Sequence, residues 1–215
     1  MINKGEFMKS LFVFIAMSIS LSSMAQENSK KVLMLVSEGF YAPEYYVPLA
    51  EFKKAGFKIT TATKYKRATR PDERHITTYP AVDGDITFNE ISVSDYDAIV
   101  FAGGNGAWED FFPNQDVHKA LTEFMKRDKV VALLCSATGL LGVANNLSGD
   151  GQPIAQGRSV TGYEKVKGLL VQLGKVNYSA GQEGKPHVVV DGNLITGRDQ
   201  ISSELFAITV TEKLK

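Results

Sequence analysis

Cysteine and histidine are scarce in this sequence, which contains one cysteine, Cys135, and three histidines. A single cysteine excludes an internal disulfide, so its thiol either fills the core or is retained for its reactivity. These four residues also lack the spacing of a zinc site, and we predict no metal. We predict no cofactor either, because there is no phosphate-binding loop and no dinucleotide-type glycine fingerprint.

The sequence also lacks an excess of either charge, with 24 Lys and Arg against 24 Asp and Glu. Without a basic surface there is no electrostatic case for binding nucleic acid or an anionic membrane, and we predict neither partner. Repeats, low-complexity segments and blocks of like charge are absent as well. Residues 26–215 are therefore predicted to form a single domain.

The N-terminal segment has the pattern of a secretory signal peptide. Two lysines precede an apolar run that starts at Leu11, and small residues end the segment at Ala25. The run is too short for a membrane span. We predict that residues 1–25 are removed, leaving an exported protein, periplasmic or secreted, with no membrane contact; an uncleaved anchor is the alternative. Met8 is as good a candidate for the initiating methionine as Met1.

Strand-like runs alternate with helical patterns along the rest of the chain. The predicted strands include Val32–Ser37, Phe57–Ala62, Ala98–Phe101, Val130–Leu134 and a hairpin of His187–Val190 with Leu194–Thr196. The predicted helices include residues from Pro43 to Ala55, Gln115–Arg127, Ala137–Asn145 and Ser203–Leu214. Because the strands are apolar on both faces, this alternation predicts an α/β fold whose mostly parallel sheet is covered on both sides.

Three polar or glycine-rich segments follow strands of this predicted sheet: Ser37–Glu44, Gly103–Gly106 and Cys135–Ala137. Ligands bind such sheets beyond the carboxyl ends of the strands. The three segments should therefore meet at one edge of the sheet and form the site.

Cys135 ends a buried strand and opens a helix, which is the arrangement of a nucleophile elbow. The positive end of the helix dipole is expected to lower the pKa of the thiol and to make the sulfur nucleophilic. Gly103 and Gly104 offer unobstructed amides for an oxyanion hole beside it; a tight turn needing positive φ is the alternative explanation.

The motifs that follow one another along the chain resemble a known family. They are Val32–Ser37 with Gly39, Glu44–Pro48, Ser94–Ala98 leading into Gly103-Gly104, Leu134-Cys135, Gly157–Thr161 and Val190–Thr196. In order and spacing they resemble the DJ-1/PfpI family of the class I glutamine amidotransferase-like superfamily, from Lys31 to Lys215. The resemblance implies a flavodoxin-like three-layer sandwich with a nucleophile-elbow cysteine, and a homodimer.

The resemblance assigns roles to two residues of this sequence. The reactive cysteine falls on Cys135, and a carboxylic acid in the first helix that hydrogen-bonds the sulfur falls on Glu44. A protonated carboxyl beside a thiolate can donate to it if burial keeps its own pKa high. Glu38 also lies at the end of a strand and is the competing carboxylate.

Several other residues are candidates for the site. Protease-like family members place a His directly after the nucleophile, where this chain has Ser136, a residue that could orient substrate or simply start a helix. Among the histidines, His187 and His75 are weak candidates, and His118 lies on a predicted surface helix. Tyr163 occupies the region of a pocket His in one branch of the family.

Arg198 matches a family Arg, although Asp199-Gln200-Ile201 follows in place of the usual Gly-Pro-containing turn. Trp108, Phe111 and Phe112 come after the glycine turn. They are candidates for an aromatic pocket wall or a dimer contact, with the core as the alternative.

Two classes of function fit these residues and the resemblance. In the first, of glyoxalase or deglycase type, the Cys135 thiolate adds to a small electrophilic carbonyl; Gly104 and Ser136 amides stabilise the oxyanion, and Glu44 transfers a proton. In the second, the protein is a non-enzymatic redox sensor or chaperone-like protector, and a small oxidant modifies Cys135. A PfpI-like peptidase or amidase is weakened by Ser136.

Overall fold

The structure, a computed structural model, describes residues 29–144 and 152–215. The predicted signal peptide, residues 1–25, lies outside the described residues, as does the last residue of the helix predicted over Ala137–Asn145. Within the described ranges, no helix is both long and apolar enough to cross a bilayer.

A seven-stranded sheet forms the centre of the fold, in the order β10-β11-β7-β6-β1-β2-β5. All neighbours in it are parallel except β10 and β11, which form the predicted hairpin. Its strands are β1 (Lys31–Leu35), β2 (Lys58–Thr63), β5 (Ile86–Thr87), β6 (Ala98–Phe101), β7 (Val130–Leu134), β10 (Val188–Asp191) and β11 (Leu194–Gly197). Short two-stranded ribbons pair β3 (Ala68–Thr69) with β4 (Val82–Asp83), and β8 (Ser159–Val160) with β9 (Asn177–Tyr178). The prediction of a mostly parallel sheet is confirmed.

Helices cover both faces of this sheet. They are α1 (Ala42–Lys54), α2 (Gln115–Lys126), α3 (Leu140–Val143) and α4 (Ser203–Leu214). Alternate residues of β1 show the two layers: Leu33 packs in the core that contains Phe124 of α2, whereas Met34 packs in the core that contains Phe206 of α4. The strands are buried on both sides, which explains why they are continuous apolar runs.

The helical stretch after β7 differs from its prediction as one helix. The chain makes a 3₁₀ turn over Cys135–Gly139 and only then the short α3. The sequence also predicts a helix around Lys165–Leu173, but residues Leu169–Leu173 form a single π turn. Gly139 and Gly142 meet neighbouring groups closely enough that a Cβ would clash, so close packing rather than helix propensity decides the local backbone.

Candidate active site

Cys135 occupies a strained position at the carboxyl end of β7. Its φ is +58°, a left-handed conformation that costs energy for any residue except glycine. The conformation is held by its own carbonyl, which accepts hydrogen bonds from Thr138 Oγ1 at 2.6 Å and from the Tyr163 amide at 3.3 Å. The turn aims the side chain at the edge of the sheet, where it is 7% exposed. Cys135 thus has the backbone of a nucleophile elbow.

Glu44 comes to the same point from the first turn of α1, and it is only 1% exposed. Its carboxyl lies beside the Cys135 thiol and the Gly103 amide, yet neither contact has the geometry of a full hydrogen bond. Burial therefore dominates and raises the pKa of Glu44 from its ordinary value of 4.5 to about 8. The carboxyl is consequently protonated in most molecules at neutral pH.

The environment of Cys135 raises the pKa of its thiol, which corrects the expectation of a lowered value. The first cause is burial, and the second is the negative charge of Glu44 when that group is ionised. The amide of Ser136 acts in the opposite direction. The helix dipole that favours the thiolate is weak, because the helical segment behind the thiol consists of a single 3₁₀ turn and the four-residue α3.

Gly103 is the residue that lets Glu44 and Cys135 approach each other. A Cβ at position 103 would lie 2.5 Å from Glu44 Oε2 and 2.8 Å from Cys135 Cβ. Its amide faces the Glu44 carboxyl rather than open space. Glycine is therefore required here for close approach and not for an unusual φ.

Gly104 and Ser136 are joined by two hydrogen bonds. The Gly104 amide donates to Ser136 Oγ at 2.8 Å, and Ser136 Oγ donates to the Gly104 carbonyl at 2.8 Å. Ser136 is buried, so it is not a solvent-facing residue at a helix start. Since the Gly104 amide is already engaged, only the Ser136 amide faces the sulfur, and it is the remaining donor for an oxyanion.

A pocket of about 140 Å³ opens in front of the sulfur. Its lining comes from six separate segments of the chain and includes three aromatic residues. The lining residues are Tyr41, Glu44, Arg74, Gly104, Asn105, Trp108, Cys135, Ser136, Tyr163 and Gln200. Tyr163 and Trp108 are predicted candidates, and Tyr41 and Asn105 lie in the predicted site segments Ser37–Glu44 and Gly103–Gly106, whereas Arg74 and Gln200 are not predicted as site residues.

Arg74 is the cation of the pocket lining. Its guanidinium binds the Asp72 carboxylate through Nε at 2.6 Å and Nη2 at 3.2 Å, and it lies 5.1 Å from the centre of the Tyr41 ring. Asp72 also accepts from Asn105 Nδ2 at 3.2 Å. The basic and polar pattern of Lys64–Arg74 predicts only a surface loop, because nothing in it indicates that its end folds back over the start of α1.

Three other candidates lie away from the sulfur. Glu38 binds Arg70 Nε at 2.8 Å and borders a neighbouring cleft, so Glu44 is the carboxylate of the pocket. Arg198 binds Asp199 and donates to the carbonyls of residues 180, 182 and 185, which fixes that loop. His187 contacts Ser179 Oγ through Nε2 at 2.9 Å.

The two remaining histidines and the other aromatic candidates have structural surroundings. His75 packs edge-on against Tyr41, with ring centres 4.3 Å apart, behind the pocket wall. His118 is buried rather than on the surface, and burial lowers its pKa. Phe111 is fully buried in the core, and Phe112 packs against that core. Among the described residues, no group of His, Cys, Asp and Glu has the arrangement of a metal site.

The fold and the site together define a class of protein: a flavodoxin-like α/β sandwich with a cysteine at a nucleophile elbow. The chain belongs to the DJ-1/PfpI family, whose model matches residues 30–213.

The relatives cover nearly the same length. Protein dj-1beta of Drosophila melanogaster is 26% identical over 186 residues, which is 86% of this chain and 90% of the relative. Its crystal structure superposes with a TM-score of 0.72 and covers 86% of this chain. A deglycase of Pyrococcus horikoshii is 26% identical over 82% of this chain and 93% of its own length. General stress protein 18 of Bacillus subtilis is 29% identical over 79% of this chain and 88% of its own.

Proposed function

We propose that this protein is an exported, cysteine-dependent enzyme that acts on small electrophilic carbonyls, in a glyoxalase- or deglycase-type reaction. The observation that carries the proposal is that the buried Glu44 carboxyl lies beside the Cys135 thiol and that both line a small pocket. Two proton-exchanging groups beside an open space are what carbonyl addition requires. A relative named deglycase supports the same reaction class.

The proposed reaction starts from the singly charged pair. As Cys135 Sγ attacks the aldehyde carbon of a 2-oxoaldehyde, the Glu44 carboxylate accepts the thiol proton. The carbonyl oxygen becomes an oxyanion that the Ser136 amide stabilises, and Glu44 then gives its newly acquired proton to this oxygen, which yields a neutral hemithioacetal and restores the Glu44 carboxylate. The single negative charge thus lies either on the Glu44 carboxylate or on the oxyanion that the Ser136 amide stabilises.

Glu44 also serves the second step of the proposed reaction. Its carboxylate removes the proton from the former aldehyde carbon to give an enediol, in which the hydroxyl proton of the hemithioacetal passes to the neighbouring oxygen. Glu44 then returns its proton to the neighbouring carbon as the carbonyl forms next to sulfur. The product is a thioester of a 2-hydroxy acid on Cys135. Water hydrolyses it, so that one 2-oxoaldehyde and one water give one 2-hydroxy acid without any oxidant or cofactor.

Turnover of methylglyoxal to lactate by the purified mature protein tests this function. Cys135→Ala should abolish turnover, and Glu44→Gln should lower it by on the order of a hundredfold, as expected for loss of a general base. Leu205→Ala, an exposed position on α4, is the matched control and should leave the rate unchanged. Undiminished turnover by Cys135→Ala would contradict the proposal.

A redox role for the same thiol is the second candidate, and it is favoured by the neutral Glu44 beside the sulfur. A protonated carboxyl can donate a hydrogen bond to a sulfinate, and a relative is named general stress protein 18. Mass spectrometry after mild peroxide treatment distinguishes this role. Selective oxidation of Cys135 without methylglyoxal turnover would favour the redox candidate, and absence of oxidation would exclude it.

A cysteine peptidase is the weakest of the candidates. Among the described residues that line the pocket there is no histidine, and Ser136 is hydrogen-bonded to Gly104 rather than free to act as a base. This candidate would be supported if the protein hydrolysed an unfolded protein substrate and Cys135→Ala abolished that hydrolysis.

Export and a homodimer are further parts of the proposal. The N-terminal pattern supports export, and the family resemblance supports a homodimer. Cell fractionation with N-terminal sequencing tests the first: a mature chain that starts near Gln26 is expected, and an intact N-terminus in the cytoplasm would contradict it. Light scattering tests the homodimer, and a measured mass equal to that of one chain would contradict it.

A further inference from the structure

We propose that the pocket selects carbonyl compounds whose second substituent is a planar, uncharged ring, and that Trp108 is the residue that sets this preference. The inference names the substituent carried by the substrate of the proposed function, and to that extent it rests on that function.

Three aromatic side chains line the pocket, and each comes from a different segment of the chain. Tyr41 precedes α1, Trp108 lies in the turn that follows the glycine segment, and Tyr163 follows β8. The three segments are far apart in sequence, so no single helix or strand periodicity accounts for their convergence. Flat side chains around a reacting atom favour a flat substituent, because offset and edge-to-face contacts are the preferred aromatic geometries.

Trp108 is the most exposed of the large apolar groups at the pocket, at 40% exposure. Its ring is supported from behind by Phe112, at a centre-to-centre distance of 5.2 Å. Phe112 in turn lies against Gly139, where a Cβ would come within 2.6 Å of Phe112 Cζ. Gly139 ends the 3₁₀ turn that begins at Cys135, so the indole is tied by direct packing to the turn that carries the nucleophile.

The charges at the pocket do not require an anionic substituent. Arg74 is the only cation among the described lining residues, and two of its nitrogens are bound to Asp72. Its guanidinium also lies over the Tyr41 ring. Among the other polar lining groups, Asn105, Ser136 and Gln200 are uncharged, and Glu44 would repel an anionic substituent when it is ionised.

The size of the pocket agrees with one ring. Its volume of about 140 Å³ is close to that of a protein cavity of about 150 Å³ that binds benzene. A phenyl substituent is large enough to contact more than one of the aromatic side chains that line the pocket, whereas a methyl substituent is not.

Three bromomethyl ketones that differ only in their second substituent test the preference. Bromoacetone carries methyl, phenacyl bromide carries phenyl, and bromopyruvate carries a carboxylate. In each case Cys135 Sγ forms a bond to the methylene carbon, bromide leaves, and the thiol proton passes to solvent. Alkylation rates of the full mature protein are divided by the rate of each reagent with N-acetylcysteine, which removes intrinsic reactivity.

The corrected rate for phenacyl bromide should exceed that for bromoacetone by about fivefold, a typical effect of one aromatic contact. Trp108→Ala should bring this ratio close to one, and Trp108→Phe should retain most of it. Leu205→Ala, outside the pocket, should not change it. A ratio of one in the native protein, a ratio that survives Trp108→Ala, or fastest reaction with bromopyruvate would overturn the inference.

Turnover separates this inference from the proposed function. If methylglyoxal and phenylglyoxal are both converted but at equal efficiency, the proposed function stands and the ring preference fails. If neither is converted while the phenacyl preference and its dependence on Trp108 persist, the pocket has the inferred selectivity but the proposed reaction is wrong.

Discussion

The carboxyl group of Glu44 and the thiol of Cys135 face each other across position 103, and both are buried. Burial disfavours the charged form of each group, and a charge on either one disfavours ionisation of the other. The two groups therefore titrate as a pair that holds one proton over a wide pH range. In the singly charged pair this proton can lie on oxygen or on sulfur, which is the state that the proposed reaction uses.

Glu44→Gln is expected to change the pH dependence of Cys135 alkylation by iodoacetamide. In the native protein the Glu44 carboxylate that forms around its pKa of about 8 opposes ionisation of the thiol, so the alkylation rate should rise only at higher pH. The variant lacks this charge and its thiol should ionise at a lower pH, which should raise the rate above pH 8 by on the order of tenfold. Superimposable pH profiles for the two proteins would contradict a shared proton.

The raised pKa of Glu44 also predicts how stability depends on pH. A carboxyl whose pKa is about 8 in the folded protein and 4.5 when unfolded binds its proton more tightly in the folded state. The contribution of this group to the free energy of unfolding is complete below pH 4.5 and is lost as the pH rises to about 8. Urea unfolding should therefore show that the free energy of unfolding falls by on the order of a few kcal/mol across this window, relative to that of Glu44→Gln. A parallel pH dependence in the two proteins would be evidence against burial of a neutral Glu44.

Gly103→Ala should damage the site through a single methyl group. The new Cβ would lie 2.5 Å from Glu44 Oε2 and 2.7 Å from the Leu134 carbonyl oxygen, a backbone atom that cannot turn aside. We expect a loss of roughly 1–3 kcal/mol in the free energy of unfolding and a loss of turnover. Gly168→Ala is the control, since a Cβ there meets nothing within 4 Å. Equal stability of the two variants would show that the carboxyl and thiol are not in close contact.

Ser136→Ala should loosen the connection between the elbow and the glycine turn. It leaves the buried amide and carbonyl of Gly104 without the hydroxyl that serves both. Each unpaired buried group costs roughly 1–3 kcal/mol, so the urea midpoint should fall clearly. Ser94→Ala, at an exposed position, should leave it unchanged. An unaffected midpoint in Ser136→Ala would mean that water or the chain itself replaces the hydroxyl.

The sequence was sufficient to predict the sheet and the position of the nucleophile. Continuous apolar strands of the right length, each followed by a helix, determine a parallel sheet, and the residue after such a strand must lie at its carboxyl edge. Cys135 follows directly from this rule. Glu44 did not, because Glu38 is equally placed in the pattern; only the family spacing favoured it, and the structure puts it in the pocket.

The pocket wall could not be predicted in the same way. Arg74 reaches Cys135 because the loop after β2 folds back over the start of α1, where the Asp72 amide donates to the Phe40 carbonyl at 2.8 Å. This is a tertiary contact with no local periodicity. The direction of the thiol pKa was predicted wrongly for a related reason: the dipole of a helix can be inferred from sequence, but the depth of burial and the length of that helix cannot.

The proton-sharing pair is tested most directly by the titration of the Glu44 carboxyl, followed by ¹³C NMR in protein labelled at the glutamate side-chain carboxyls and assigned with Glu44→Gln. The expected midpoint is about pH 8. Cys135→Ala should move it higher still, because the thiol is one of the groups that lower the pKa of Glu44. A midpoint at the ordinary value of 4.5 that Cys135→Ala leaves unchanged would contradict the claim that Glu44 and Cys135 share a proton.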